Sequence, residues 1–272
     1  MSTLSITKPS SAERPLTGET LFLLAGLAAL GALATNIILP AFPRIGAGLG
    51  VSSQGLGLTL SSFFVAFALG QLLVGPLSDR LGRKWLVLGG LAVFVAGSVL
   101  CAVADSLSVL ILGRVIQAFG ACAASVLSRA IARDLFDGEA LARALALTMI
   151  AMAAAPGFSP LLGSALESLF GWRITFLVVA AFGVALALHY WTSVGETHPT
   201  DRRASLAASD VASAYGRLLV DQRFLLPALS VSLVIGGLYT FFAAAPAVLM
   251  SEVGLTAFQL GLSFAATVLI VF

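Results

Sequence analysis

Long apolar stretches alternate with short polar breaks along the whole chain. Near-continuous apolar runs occupy residues 21–39, 58–75, 85–103, 107–128, 145–166, 174–194 and 224–250. Each approaches the roughly 20 residues an α-helix needs to cross a hydrocarbon core of about 30 Å. None alternates apolar and polar positions over about ten residues, as a strand of a membrane barrel does. Inside lipid the backbone N–H and C=O groups must pair within the protein, so runs of this length predict spanning helices. An eighth run begins near Leu260 and reaches Phe272. It is too short to span, and the chain therefore reads as a C-terminally truncated fragment.

Composition agrees with this pattern. Hydrophobic residues make up 59% and charged residues 10%, with a mean hydropathy of +1.03. A soluble domain carries about 25% charged residues, so the expected solvent of most side chains is a lipid bilayer. The fold class predicted is an all-α membrane protein. A net charge of +2 gives no reason to expect a nucleic acid partner. Cys101 and Cys122 sit in apolar runs and read as packing residues, with no metal-ligand spacing around them. His189 and His198 are isolated, at a helix end and in a polar segment. Neither a metal nor a cofactor is expected. A membrane-embedded enzyme would need clustered acids, histidines or a positioned nucleophile at membrane depth, and the spans offer none. At the N-terminus, Lys8 and Arg14 precede the first apolar run, and Ala32-Leu33-Ala34 has the form of a signal cleavage site. The run continues through Ile37, Ile38 and Leu39, longer than a signal core, so the segment is expected to stay as a helix.

The basic residues orient the spans. Twelve of the fifteen Lys and Arg residues fall in the N-terminal tail and in every second connection; only Arg44 and Arg173 lie in the alternate connections, and Arg114 lies within a span. The positive-inside rule then places the N-terminus in the cytoplasm. That orientation disfavours a seven-helix receptor, whose N-terminus is outside. The longest polar stretch divides the chain into a cytoplasmic tail at 1–20, six spans at 21–194, a cytoplasmic linker at 195–222 and the start of a second set of spans at 223–272. Within the linker, Val211, Tyr215 and Leu218 fall near one helical face, which predicts a short surface helix.

Three segments carry candidate chemistry. The tight connection between the second and third spans reads Gly75-Pro76-Leu77-Ser78-Asp79-Arg80-Leu81-Gly82-Arg83-Lys84. Gly82 permits a sharp turn, and Gly75 is expected to let another helix come close. Asp79 lies near the C-terminal end of its helix, where the dipole disfavours an acid, so a cation or a second helix N-terminus is expected as its partner. In the fourth span Arg114 and Gln117 share a face. A buried arginine costs at least about 2.5–3.5 kcal/mol unless it meets a wet cavity or a partner. In the fifth span Ala151, Ala155, Ser159 and Gly163 form a narrow stripe for close helix packing, and Pro156 and Pro160 are expected to bend the helix.

These segments resemble the major facilitator superfamily. The Gly-x-x-x-Asp-Arg-x-Gly-Arg-Lys pattern at Gly75–Lys84 matches its best-known signature in the right connection. Arg114-Val115-Ile116-Gln117-Ala118-Phe119-Gly120 matches a second pattern, and the run from Ala155 to Ser164 is similar to the proline-glycine motif of its antiporters. Leu39-Pro40-Ala41-Phe42-Pro43, Ala132-Arg133-Asp134-Leu135 and Gly171-Trp172-Arg173 resemble the drug-resistance branch that includes bicyclomycin and chloramphenicol exporters. The resemblance implies a six-helix bundle followed by the first one to two helices of a second, with inverted three-helix repeats and a site near the midplane. It implies a gating role for Gly75, Asp79, Arg80, Gly82, Arg83 and Lys84, a cavity or coupling role for Arg114 and Gln117, and an exporter's helix at Pro156, Ser159, Pro160 and Gly163. The implied protein is a monomeric exporter of small amphipathic molecules in the bacterial inner membrane, with a proton as counter-ion, and the fragment is not expected to work without the rest of its second bundle.

One position departs from that branch. Where its members carry an aspartate in the outer part of the first span, this chain has Asn36. An amide cannot release a proton at physiological pH. Asn36 and Arg114 are expected at similar depth, with Arg114 attracting a polar or anionic group and Asn36 hydrogen-bonding it.

Overall fold

The computed structural model describes residues 17–199, 203, 208–256, 258–263 and 266. The N-terminal tail with Lys8 and Arg14, linker residue Arg202 and most of the eighth apolar run lie outside the described residues. The helices are α1 (Gly18–Asn36), α2 (Phe42–Leu49), α3 (Ser53–Leu81), α4 (Arg83–Ala102), α5 (Leu107–Leu135), α6 (Gly138–Phe170), α7 (Arg173–Ser193), α8 (Ala208–Val220) and α9 (Gln222–Ser251), with a 3-10 turn at Leu39–Ala41 between α1 and α2. Six segments are long and apolar enough to cross a membrane, the first being α1 through α2 taken together, Gly18–Leu49. A seventh candidate is a bent pair, Ser209–Val220 with Gln222–Gly237, broken by 77°.

Several helices outrun the apolar stretches that announce them. α3 continues through Gly75, Pro76 and Asp79 to Leu81, so the connection expected at 75–84 shrinks to the single residue Gly82. Gly82 has φ of 92°, a conformation open to glycine. α6 starts at Gly138, before the expected residue 145, and remains one helix across Pro156 and Pro160. These extra turns carry polar residues, which a helix tolerates once it leaves the hydrocarbon. The first span differs in the other direction: Pro40 and Pro43 remove two backbone donors, and the chain breaks into the 3-10 turn and α2.

Packing centres on α5, which contacts α4, α3 and α1. Glycines bring α4 and α5 together. A Cβ on Gly97 would lie 2.3 Å from the Gln117 backbone nitrogen, and one on Gly120 would lie 2.3 Å from that of Phe94. α6 packs on α1 in the same manner, with a Cβ on Gly163 falling 1.9 Å from the Ile37 carbonyl oxygen. The expectation for Gly75 is not met: a Cβ there would meet nothing within 4 Å among the described residues. Large apolar side chains such as Val65, Leu73, Trp85, Met149 and Leu188 are exposed, as lipid-facing or partner-facing positions must be. In the linker, α8 forms as expected, and the Tyr215 hydroxyl donates to the Leu72 carbonyl at 2.9 Å.

Candidate transport site and gating cluster

Two polar clusters are built into the six-helix bundle. The first lies within it. Arg114, on the buried face of α5, is 0% exposed. Its Nη1 donates to the Ala34 carbonyl of α1 at 3.0 Å and to Gln117 Oε1 at 2.5 Å. Gln117 Nε2 in turn donates to Ser98 Oγ of α4 at 2.7 Å, and Ser98 donates to the Phe94 carbonyl at 2.7 Å. The Phe63 ring of α3 covers the guanidinium face, with its centroid 4.2 Å from Cζ, a contact of about 0.5–2 kcal/mol. Four helices therefore fix this one arginine.

Its charge is not neutralised. No carboxylate pairs with Arg114 among the described residues, and its Nε and Nη2 have no hydrogen-bond partner there. Each buried donor left unmade costs about 1–3 kcal/mol, and a charged one more. The arrangement is destabilising as it stands and suits a group that binds something.

Asn36 is also buried, at 2%, but does not hydrogen-bond Arg114. Its Nδ2 donates to the Ala32 carbonyl at 2.8 Å and to Thr35 Oγ1 at 3.2 Å, both on its own helix. The link between the two residues is the backbone of α1, through Ala34. On α6, Ser159 Oγ donates to the Ala155 carbonyl at 2.5 Å. The stripe of Ala151, Ala155, Ser159 and Gly163 continues one more turn to Glu167, which is buried and pairs with Arg44 of α2 at 2.7 Å. Arg44 also donates to the Glu167 carbonyl. Gly163 thus packs against Ile37 at the end of α1; Ser159 and Pro160 are buried and Pro156 is half-buried, and none of the four is a hydrogen-bond partner of Arg114.

The second cluster sits at the end of the bundle where α3 meets α4. Arg83 binds Asp79 through Nη1 at 2.7 Å and Asp134 of α5 through Nε at 3.1 Å, and Nη1 also donates to Ser78 Oγ. The partner of Asp79 is therefore the cation one turn ahead of it. Asp134 is held further by the Thr197 hydroxyl at 3.0 Å. Glu196, just beyond α7, accepts from the Arg83 backbone N–H at 2.8 Å and from that of Lys84 at 3.3 Å. It thereby caps the N-terminus of α4, where an acid is favoured. A Cβ on Gly82 would come 2.5 Å from Glu196 Oε2, the tip of a side chain that can shift, so the positive φ is what calls for glycine here. Partial burial works against the Glu196 anion. The N–H groups of His198, Arg83 and Lys84, with the Arg203 charge, outweigh it and hold the carboxyl below its ordinary range. Lys84 Nζ lies 4.6 Å from the Trp191 ring centroid, and Arg80 is exposed.

Sequence reasoning did not single out Ser98 or Glu196. Ser98 lies four residues before the end of α4 and Gln117 ten residues after the start of α5, so register about the turn does not pair them; the close approach of Gly97 to the Gln117 backbone does.

The sequence profile of the Major Facilitator Superfamily matches residues 24–272. The chain is 35% identical over 237 residues to an uncharacterized MFS-type transporter, YdgK, of Bacillus subtilis, covering 86% of this chain and 59% of that one. It is 33% identical over 248 residues to a chloramphenicol resistance protein of Pseudomonas aeruginosa, covering 90% and 57%. It is 28% identical over 249 residues to multidrug resistance protein D of Escherichia coli, covering 90% and 61%. The chain thus spans about three fifths of the length of these relatives. Among solved structures, a bacterial homolog of the human lysosomal transporter Spinster, inward-facing and unoccupied, superposes with a TM-score of 0.75 at 20% identity, over 93% of this chain and 60% of that one. The human organic anion transporter MFSD10 gives 0.67 at 19% identity, over 94% and 70%. At such identities the likeness is one of fold.

Proposed function

The chain belongs to the major facilitator superfamily, a family of transporters and not enzymes, and from that premise we propose that the protein exports small amphipathic drugs or metabolites across the bacterial inner membrane. Transport proceeds by alternating access of a site between two helical bundles, in a monomer, with proton antiport as the driving reaction. The observation that carries this reading is Arg114: a wholly buried cation in a spanning helix, fixed by four helices and without a carboxylate partner among the described residues. A structural arginine would have its charge neutralised; a binding residue keeps donors for its ligand. The resistance proteins among the relatives support drugs as the cargo class. The concentration of Lys and Arg at the Arg83 end supports a cytoplasmic N-terminus.

Gating falls to the second cluster. Asp79, Arg83, Asp134 and Glu196 tie α3, α4, α5 and the segment after α7 together. Gly75 and Arg80 leave a free surface beside it, suited to the second bundle when that side closes. Asn36, lacking a titratable proton, leaves the proton-carrying step to other groups. The test is export of chloramphenicol from cells expressing the full-length protein. Arg114→Ala is expected to abolish export and Asn36→Ala to reduce it. Unchanged transport in both variants would remove the Arg114 site from the mechanism.

A further inference from the structure

The donors of Arg114 are not equivalent, and their division points to the chemistry of the ligand. Nη1 has both hydrogens committed, one to Ala34 and one to Gln117. Gln117 cannot turn away freely, because its own amide donates to Ser98, which is anchored on the Phe94 carbonyl. Phe63 occupies a face of the guanidinium plane. What remains is one edge, formed by Nε and Nη2, and both atoms are buried and unpartnered among the described residues.

We infer that this edge is a carboxylate subsite, and that the cargo class includes amphipathic organic acids carrying one carboxylate. The inference rests on the reading of Arg114 as a group of the transport site. Two N–H bonds that point the same way from a planar, delocalised cation match the two oxygens of a carboxylate, giving a bidentate, charge-assisted pair. A neutral acceptor engages the donors singly and leaves the charge in place. A single negative charge neutralises the single positive one, and no carboxylate among the described residues does so first. Asn36 does not take these donors, since Arg114 Nε and Nη2 have no hydrogen-bond partner among the described residues. Phe63 supplies the apolar wall next to the charge, so an aromatic or aliphatic body attached to the carboxylate has a surface to lie on. Because Arg114 is enclosed in this conformation, the carboxylate enters only as the ring or the facing bundle moves aside.

The same carboxylate chemistry has a second source, an Asp or Glu in the part of the full-length protein outside the described residues. One set of measurements separates the two. In the full-length protein in lipid nanodiscs, the Nε–H resonance of Arg114 is followed by NMR while 2-naphthoate or its uncharged carboxamide is added, and binding of each is measured in parallel. Pairing with cargo shifts the resonance with naphthoate alone, and Arg114→Lys, which keeps the charge but loses the fork, weakens naphthoate binding about tenfold or more while leaving the carboxamide unaffected. Pairing with the protein's own acid places the resonance at the paired position before any addition, and one acid-to-amide substitution beyond residue 223 releases it; this upholds the carboxylate subsite, assigns its occupant to the chain and overturns the organic-acid cargo. Equal binding of naphthoate and carboxamide, with no paired resonance in any state, overturns the inference. Loss of drug export in Arg114→Ala alongside that last result would leave the transport-site reading standing and only the carboxylate assignment lost.

Discussion

Arg83 Nε lies 3.1 Å from Asp134 Oδ2 across 51 residues of chain, and the same guanidinium holds Asp79 at 2.7 Å through Nη1. One nearly buried cation therefore joins the α3–α4 turn to the end of α5. The two acids lie on different helices, so the pairing makes the turn a part of the bundle's end and not a free loop.

Substitution of Arg83 tests that arrangement. Arg83→Ala leaves Asp79 and Asp134 without their cation, and hydrogen bonds to charged groups contribute about 1.5–3 kcal/mol each. A loss of about 2–4 kcal/mol is expected, measured by denaturation of the purified protein in detergent. Arg83→Lys is expected to recover only part of it, because one ammonium cannot reproduce the fork that reaches Ser78, Asp79 and Asp134 together. A full recovery by lysine would mean that charge alone matters at this position.

Glu196 makes the cluster sensitive to acid. Its folded-state pKa is lowered, so its contribution is fully present above the ordinary carboxylate pKa of about 4.3. It is lost as pH falls through the depressed folded value. Hydrogen exchange at the Arg83 and Lys84 amides, which donate to Glu196, is expected to lose protection in that acid range and not between pH 6 and 8. In Glu196→Gln the protection should be weaker at neutral pH, and its step at acid pH should disappear.

Close packing gives a prediction with an internal control. Gly163→Ala sets a Cβ against the Ile37 carbonyl, a backbone atom that cannot swing away. Overpacking of this kind costs about 1–3 kcal/mol, and the melting temperature is expected to drop. Gly89→Ala, on a part of α4 where a Cβ meets nothing within 4 Å, should leave it unchanged or slightly raised, since alanine favours the helix. Equal melting temperatures for the two variants would count against the α1–α6 contact.

How much of this was legible beforehand depended on the range of the interaction. The six helices of the first bundle were visible because lipid forces each span to satisfy its own backbone, which leaves an apolar run in the sequence. Arg114 and Gln117 stood out because a charge and an amide in such a run are costly. The helix ends were less visible: once outside lipid, residues 76–81 and 138–144 obey polar rules, and no hydropathy change marks where the helix stops. Glu196 was hidden because it meets Arg83 only after α4 through α7 have packed, 113 residues away. Asn36 was expected to share a cavity with Arg114; its Nδ2 is bonded on its own helix to Ala32 and Thr35, and Arg114 meets the same helix at the Ala34 carbonyl.

The central claim is that Arg114 is the binding residue of a proton-driven exporter. Inverted membrane vesicles containing the full-length protein, loaded acid-inside and supplied with chloramphenicol, measure it most directly. The expected result is drug accumulation in the wild type that collapses when the pH gradient is dissipated, and accumulation at least about tenfold slower in Arg114→Ala, the loss of one charged contact. Accumulation by Arg114→Ala at the wild-type rate and with the same dependence on the gradient would contradict the account.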